Sequence, residues 1–249
     1  MKKVTSEVAY EYIRKRIQSG EYPPGHSLVT EVLSNEMGVS RTPVREALHR
    51  LATDGLVDIR PRHGATVKQM DLAKYREFCG LRLALEGYAA MMAALLHTPT
   101  ELRTIKAALD AMRIHTERII VDDSDPVAHE ELMREDVRFH VAIISAARNE
   151  LVKSEILRLH LVNRILFGPS HGKIPPAKEF ASKGEHDENR RRVLANHEEI
   201  HDAIARRDAA GARDAMERHI QDIIDHAALT FTGVPAVREL TEEELVYNG

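Results

Sequence analysis

The residues with the most obvious capacity for chemistry are a carboxylate and three imidazoles. Asp136 and His140 lie four apart on one predicted helix, His197 on the next but one, and His219 on the last. Projected from separate helices into one cavity, they would suit a divalent cation such as zinc, nickel or manganese, with positions left for water or a ligand oxygen. Spacing alone does not select them, because a chain with 14 histidines produces such sets by chance. A rival motif overlaps: His197-Glu198-Glu199-Ile200-His201 satisfies H-E-x-x-H, in which two histidines bind zinc and the glutamate activates water. Against a peptidase stand the lack of a second Gly-x-x-His segment and of a strand to hold substrate, and His201 reads as a packing group.

A second group of residues suits polyanions. Arg41 and Arg45 lie four apart at the start of a predicted helix, so both project from one face, and each guanidinium can bind guanine O6 and N7 in a major groove. The hydroxyls of Ser40 and Thr42 and the helix N-terminus suit phosphate oxygens. Arg62 and His63, before Gly64, would reach the minor groove or a phosphate from a hairpin tip. Arg82, inside the apolar run Leu81 to Leu85, needs a partner to be buried. Glu86, four residues on, is the simplest; a carboxylate ligand clamped by the guanidinium is the functional alternative.

These residues need elements to hold them. Residues 4–19 place Val4, Val8, Tyr12 or Ile13, and Ile17 at helical spacing; Thr30 to Met37 predicts a second helix burying Val32, Leu33 and Met37. Gly38 stops it, Ser40 caps the next, and Arg41 to Thr53 predicts a third helix with Val44, Ala47, Leu48 and Leu51 inward. Leu56, Val57 and Ile59, then Thr66 and Val67 across a Gly64 turn, read as a small hairpin. That order predicts a winged helix-turn-helix in residues 1–70. From 71 to 230 only helical patterns occur, broken at Thr98-Pro99, Asp122 to Pro126, near Asn149, across 168–184 and at Arg207-Asp208. The expectation is about six helices enclosing a cavity, an all-α helical bundle, so the chain as a whole is mostly α. Residues 231–249 read as a tail.

Composition narrows the classes. With 43% hydrophobic and 30% charged residues over 249 positions, the chain can fill two cores. A single cysteine, Cys79, excludes a disulfide framework and a Cys-rich zinc ribbon. The polar start and the absence of an apolar run of about 18–20 residues predict no export and no membrane anchoring, hence a cytoplasmic protein. Residues 1–70 hold 11 Lys and Arg against 8 Asp and Glu, and the remainder 24 against 31, so a polyanion should meet the first 70.

The run Gly38-Val39-Ser40-Arg41-Thr42-Pro43-Val44-Arg45-Glu46-Ala47-Leu48, with Leu51, Gly55-Leu56-Val57 and His63-Gly64, closely resembles the DNA-binding domain of GntR-type transcription regulators. Leu81 to Ala90, Asp136 to His140 and the later histidines are similar to the helical ligand-binding FCD domain of the FadR-like subfamily. The resemblance implies a homodimer on a palindromic operator, a repressor whose DNA affinity changes when a small organic acid binds. It matches Asp136, His140, His197 and His219 to the metal-binding type of FCD domain, zinc first among the ions, and Arg82 to the carboxylate clamp. A metal-dependent hydrolase and a pure metal sensor are the alternative readings. Two positions depart from the pattern: Glu31 where some relatives have a DNA-contacting Arg, and His49 where Arg is frequent.

Overall fold

The computed structural model describes residues 6–60, 64–69, 72–167 and 183–230. The N-terminal unit contains helices α1 (Ser6–Gln18), α2 (Thr30–Met37) and α3 (Arg41–Thr53), with strands β1 (Ser27–Leu28), β2 (Val57–Arg60) and β3 (Gly64–Val67). It is a winged helix-turn-helix. The bounds of α2 and α3 follow the punctuation in the sequence. Gly38 takes a left-handed φ of 65° at the C-cap of α2, a conformation that costs glycine nothing, and Ser40 is the extended N-cap of α3.

The sheet is antiparallel in the order β1-β3-β2, with Ser27 opposite Thr66 and Arg60 opposite Gly64. Its inner side chains Leu28, Val57, Ala65 and Val67 complete a core with Ile13, Ile17, Leu33, Val44, Leu48 and Leu51. Strand β1 is an addition to the expected hairpin; two residues are too few to display alternation. Two other expectations are corrected. Val8 and Val32 are 51% exposed; Ile59, in β2 as expected, lies on its outer side at 38%. In α1 the inward face is carried by Ala9, Tyr10, Ile13 and Ile17, the Tyr10 hydroxyl donating to Asp54 Oδ2 at 2.7 Å. A tyrosine goes inside at that position because its polar end finds an acceptor. Val4 lies outside the described residues.

Six helices follow among the described residues: α4 (Leu72–Leu96), α5 (Pro99–Val121), α6 (Pro126–Ala146), α7 (Glu150–Phe167), α8 (Lys183–Ala205) and α9 (Ala209–Thr230). They start and stop where the sequence is broken. Thr98 and Glu101 form a capping box ahead of Pro99, and Asp125 accepts from the amides of Val127 and Ala128 ahead of Pro126. Arg148 and Arg207 take positive φ in the α6–α7 and α8–α9 turns. The core of this unit gathers Ile105, Leu109 and Met112 of α5, Phe139 and Ile143 of α6, Ile200 and Ile204 of α8, and Met216 and Ile220 of α9 around α4.

Among the described residues α4 is long and apolar enough to cross a membrane by length and composition, which revises the expectation that no stretch comes near that. Its role here is that of a central helix. Tyr75, Cys79, Ala90, Ala93 and Ala94 are buried in the core, and Arg82 and Glu86 form a buried ion pair, Nε to Oε1 2.8 Å. Burial pushes the Cys79 thiol up.

Candidate functional site

The middle of the helical unit contains polar groups where apolar ones would pack without cost. Helix α6 brings Asp136 and His140 to one face, one turn apart, beside the buried Phe139 and Ile143. Helix α8 contributes His197, fully buried, and α9 contributes His219, 3% exposed. One nitrogen from each of His140, His197 and His219 lies within 4.8 Å of the others. The rings of His197 and His219 are 4.3 Å apart, and His140 stands 5.5 and 5.3 Å from them.

The hydrogen bonds leave this cluster unfinished. His197 Nδ1 donates to the Val193 carbonyl at 2.7 Å, so in the neutral ring Nε2 bears a lone pair. Nε2 faces Asp136 Oδ1 at 3.1 Å, a contact that needs a proton or a metal ion on that nitrogen. His197 Nε2 and both nitrogens of His219 are buried without a hydrogen-bond partner. Orphans of this kind cost about 1–3 kcal/mol each, and a cation at the centre would satisfy one nitrogen of each ring, leaving the second nitrogen of His219 to another partner. Burial holds His140 below its usual pKa against the opposing pull of Glu86 and Asp136, and it holds His219 well below, helped by His197 and His140. Neutral imidazoles are the form in which histidine ligates. The Asp136 carboxyl, although burial alone would raise it, is held well below the carboxylate range by its contacts with His197, His140 and His219. The donor set of three imidazoles and one carboxylate fits a divalent ion.

Behind His140 stands a second polar group that the sequence reading reached only in part. Arg82 found its expected partner in Glu86. Glu86 also lies 2.7 Å from His140 Nδ1 through Oε2 and 3.4 Å from His160 Nε2 through Oε1. Glu86, His140 and His160 thus form another close set of ligand-type atoms. Because Arg82 and His140 hold Glu86 well below the carboxylate range in spite of its burial, it is an anion aimed at a ring whose other nitrogen faces Asp136 at 4.0 Å. His140 Nδ1 and Glu86 Oε2 make no hydrogen bond at this approach, and with a proton aimed from Nδ1 they would form the carboxylate–histidine arrangement that orients a metal ligand. His160 was missed because no local spacing on α7 relates it to α4.

The H-E-x-x-H motif does not assemble. Glu198 faces outward to Arg113, Oε1 to Nη2 2.6 Å, and His201 Nδ1 lies 3.0 Å from Asp202 Oδ1. Neither belongs to the His140–His197–His219 set. A cavity of about 230 Å3 opens beside Asp136, walled by Met112, Met133 and Leu194 and carrying Asn189 and Arg190 as polar lining. Arg190 is paired with Asp123 at 2.6 Å and with Asp187 at 3.5 Å.

On the N-terminal unit, Ser40, Arg41, Thr42 and Arg45 are all exposed at the start of α3. The Ser40 side chain makes no cap hydrogen bond, so its hydroxyl is not consumed by the helix. Arg41 is held by Glu31, Nη2 to Oε1 2.7 Å, with both side chains 65% exposed. Arg45 pairs with no carboxylate among the described residues. Gly64 opens β3 with φ 83°; Arg62 and His63 lie outside the described residues.

Comparison with known proteins agrees with this two-part arrangement. Residues 5–67 match the family model of bacterial regulatory proteins of the gntR family, and residues 77–222 match the FCD domain. The chain is 29% identical over 215 residues to the HTH-type transcriptional repressor RspR of Escherichia coli, covering 86% of this chain and 85% of that one. It is 28% identical over 220 residues to the gluconate operon transcriptional repressor of Bacillus subtilis, with 88% and 82% covered. Among solved structures, E. coli McbR/YncC superposes with a TM-score of 0.66 at 22% identity, over 91% of this chain and 98% of that one, a likeness of fold. An exposed pair of arginines on a winged helix, joined to a helical domain with a polar centre, is the build of a ligand-responsive DNA-binding regulator, and the chain belongs to the GntR family of transcription regulators, with a C-terminal FCD domain.

Proposed function

We propose that the chain is a repressor whose operator affinity is set by a small carboxylate bound at a metal centre formed by Asp136, His140, His197 and His219. The observation that carries this reading is the group of buried imidazole nitrogens without hydrogen-bond partners, meeting one carboxylate between three helices. Zinc suits three nitrogens and one oxygen best; nickel and manganese are the other ions the donor set admits. The acid reaches the centre through the cavity beside Asp136; Arg82, steadied through Nε by Glu86 and not among the residues that line that cavity, is the guanidinium that the family pattern assigns to its carboxylate. One relative is named the gluconate operon transcriptional repressor, and gluconate is an acid of this kind.

In this reading residues 1–70 read DNA and 71–230 sense and dimerise, with 231–249 as a tail. Arg41 and Arg45 read bases; Ser40, Thr42, Arg62, His63 and Gly64 face the backbone or the minor groove. Two copies bind a palindromic operator in the cytoplasm. The acid shifts the equilibrium between two arrangements of the reading heads by its difference in affinity for them.

The test is direct. Metal-free protein is dialysed against zinc, assayed for metal, and melted with acetate, citrate and gluconate, each with and without chelator. The expected result is one ion per chain and a rise in melting temperature with at least one acid that disappears with the chelator; at a hundredfold excess over Kd the stabilisation is about 2.7 kcal/mol. A chain that takes up no divalent ion refutes the proposal.

A further inference from the structure

Helix α7 touches both halves of the molecule, and it does so with opposite faces. His160, 6% exposed, points toward the sensor: its Nε2 is buried without a hydrogen-bond partner, 3.4 Å from Glu86 Oε1, and its ring lies 5.4 Å from that of His140. One turn earlier on the same side, Ile156 packs with Ala89, Ile144 and Ala147. Two residues after His160, and therefore about 200° around the helix, Val162 is 3% exposed and belongs to the core of the winged helix. One turn before Val162 and on its side, Arg158 reaches the turn that follows α3. A Cβ built on Gly55 would meet Arg158 Nη1 at 3.1 Å and Val162 Cγ2 at 3.4 Å. That turn is fixed to the rest of the reading head, with Leu56 N–H donating to the Leu51 carbonyl and the Leu56 carbonyl accepting from Lys68, both at 2.9 Å.

We propose that His160 is a positioning residue through which the state of the metal centre reaches the reading head, with α7 as the rigid body that carries it. The inference rests on the metal-centre reading above and adds to it a route. His140 has one nitrogen toward Asp136 and the other toward Glu86. With Nε2 committed to a ligand shell, the imidazole proton resides on Nδ1 and is donated to Glu86 Oε2. That fixes where the Glu86 carboxylate stands between Arg82 and His160, and a hydrogen bond from His160 Nε2 to Oε1 draws α7 with it. Close-packed groups do not absorb such a shift, so the displacement appears on the far face, at Val162, Arg158 and the Gly55 turn.

The experiment uses the full chain, freed of metal and then given zinc alone. It measures bound zinc and hydrogen exchange at the amides of Gly55, Leu56 and Val57. In the wild type, zinc is expected to slow exchange at this turn severalfold. His160→Leu is expected to bind zinc at full stoichiometry while the turn no longer responds, and His160→Gln, which keeps a donor, is expected to restore the response. Val162→Ala cuts the other end of the route, far from the ligands, and is expected to show the same split, so the proposal stays testable if His160→Leu does not fold. Loss of zinc from His160→Leu would make His160 a ligand and overturn the proposal. An unaltered response in His160→Leu or Val162→Ala overturns it too, as does a wild-type turn indifferent to zinc. A wild type that takes up no zinc fails at the first measurement, which marks the failure of the metal reading itself and takes the relay with it.

Discussion

His197 gives its Nδ1 proton to a backbone carbonyl and turns Nε2 toward the Asp136 carboxylate. A metal ion placed there would be held by both groups, and the consequence separates His197 from its neighbour His201. His197→Ala or His219→Ala should strip the metal and abolish the response to a carboxylate, while His201→Ala, which loses packing and a contact with Asp202, should keep both; elemental analysis of the purified variants checks it. The metal-free protein should also be acid-sensitive. Burial depresses the pKa of His140 and His219 below the usual 6.5, so on acidification the unfolded chain takes up protons first. Stability from these groups is complete above about pH 6.5 and falls as the pH drops toward their folded values. Urea midpoints of metal-free protein should therefore be lower at pH 5 than at pH 7.5, and a midpoint that rises on acidification contradicts the assignment. The four proposed ligands could be picked from the sequence only through a family pattern, because fourteen histidines offer many sets. Glu86 was legible only as the i+4 partner of Arg82, and its meeting with His140 and His160 depends on the packing of three helices.

At the scale of elements, the helix-turn-helix was legible because its ends are chemically marked: Gly38 for the stop, Ser40 for the start, Gly55 for the turn. The faces were less so. Val8 and Val32 carry apolar side chains on outward positions, where periodicity read by residue type assigns them inward, and Tyr10 and Ser34 are buried because each finds a polar partner, Asp54 and the Thr30 carbonyl. Two outcomes belong to α3. Arg45→Ala should weaken operator binding by roughly 1–3 kcal/mol and relax sequence preference, as measured by gel shift on matched and mutated sites. Glu31→Gln should act in the other direction. It removes a carboxylate from beside the groove and releases Arg41, so binding should tighten and the salt dependence of the affinity should steepen. Weaker binding by this variant would mean that Glu31 aims Arg41 rather than restrains it.

For the whole molecule, the proposal of two reading heads on one palindrome requires two copies. Sedimentation velocity of the full chain at micromolar concentration should give twice the 28.1 kDa chain mass; a monomer there removes the geometric basis for a two-part operator. How far the heads move when the sensor fills is a distance problem, and the burial of Cys79 bears on it. The chain has one thiol, fully enclosed and with its ionisation suppressed, so labelling reagents that need an accessible thiolate meet no native target. Cysteines introduced at Val121, 81% exposed on the sensor, and at Glu46, exposed on α3, would be the only reactive thiols of each chain. Dyes or spin labels attached to them could be assigned without first mutating the native residue, which makes the natural sequence itself a ready substrate for measuring ligand-driven motion one molecule at a time.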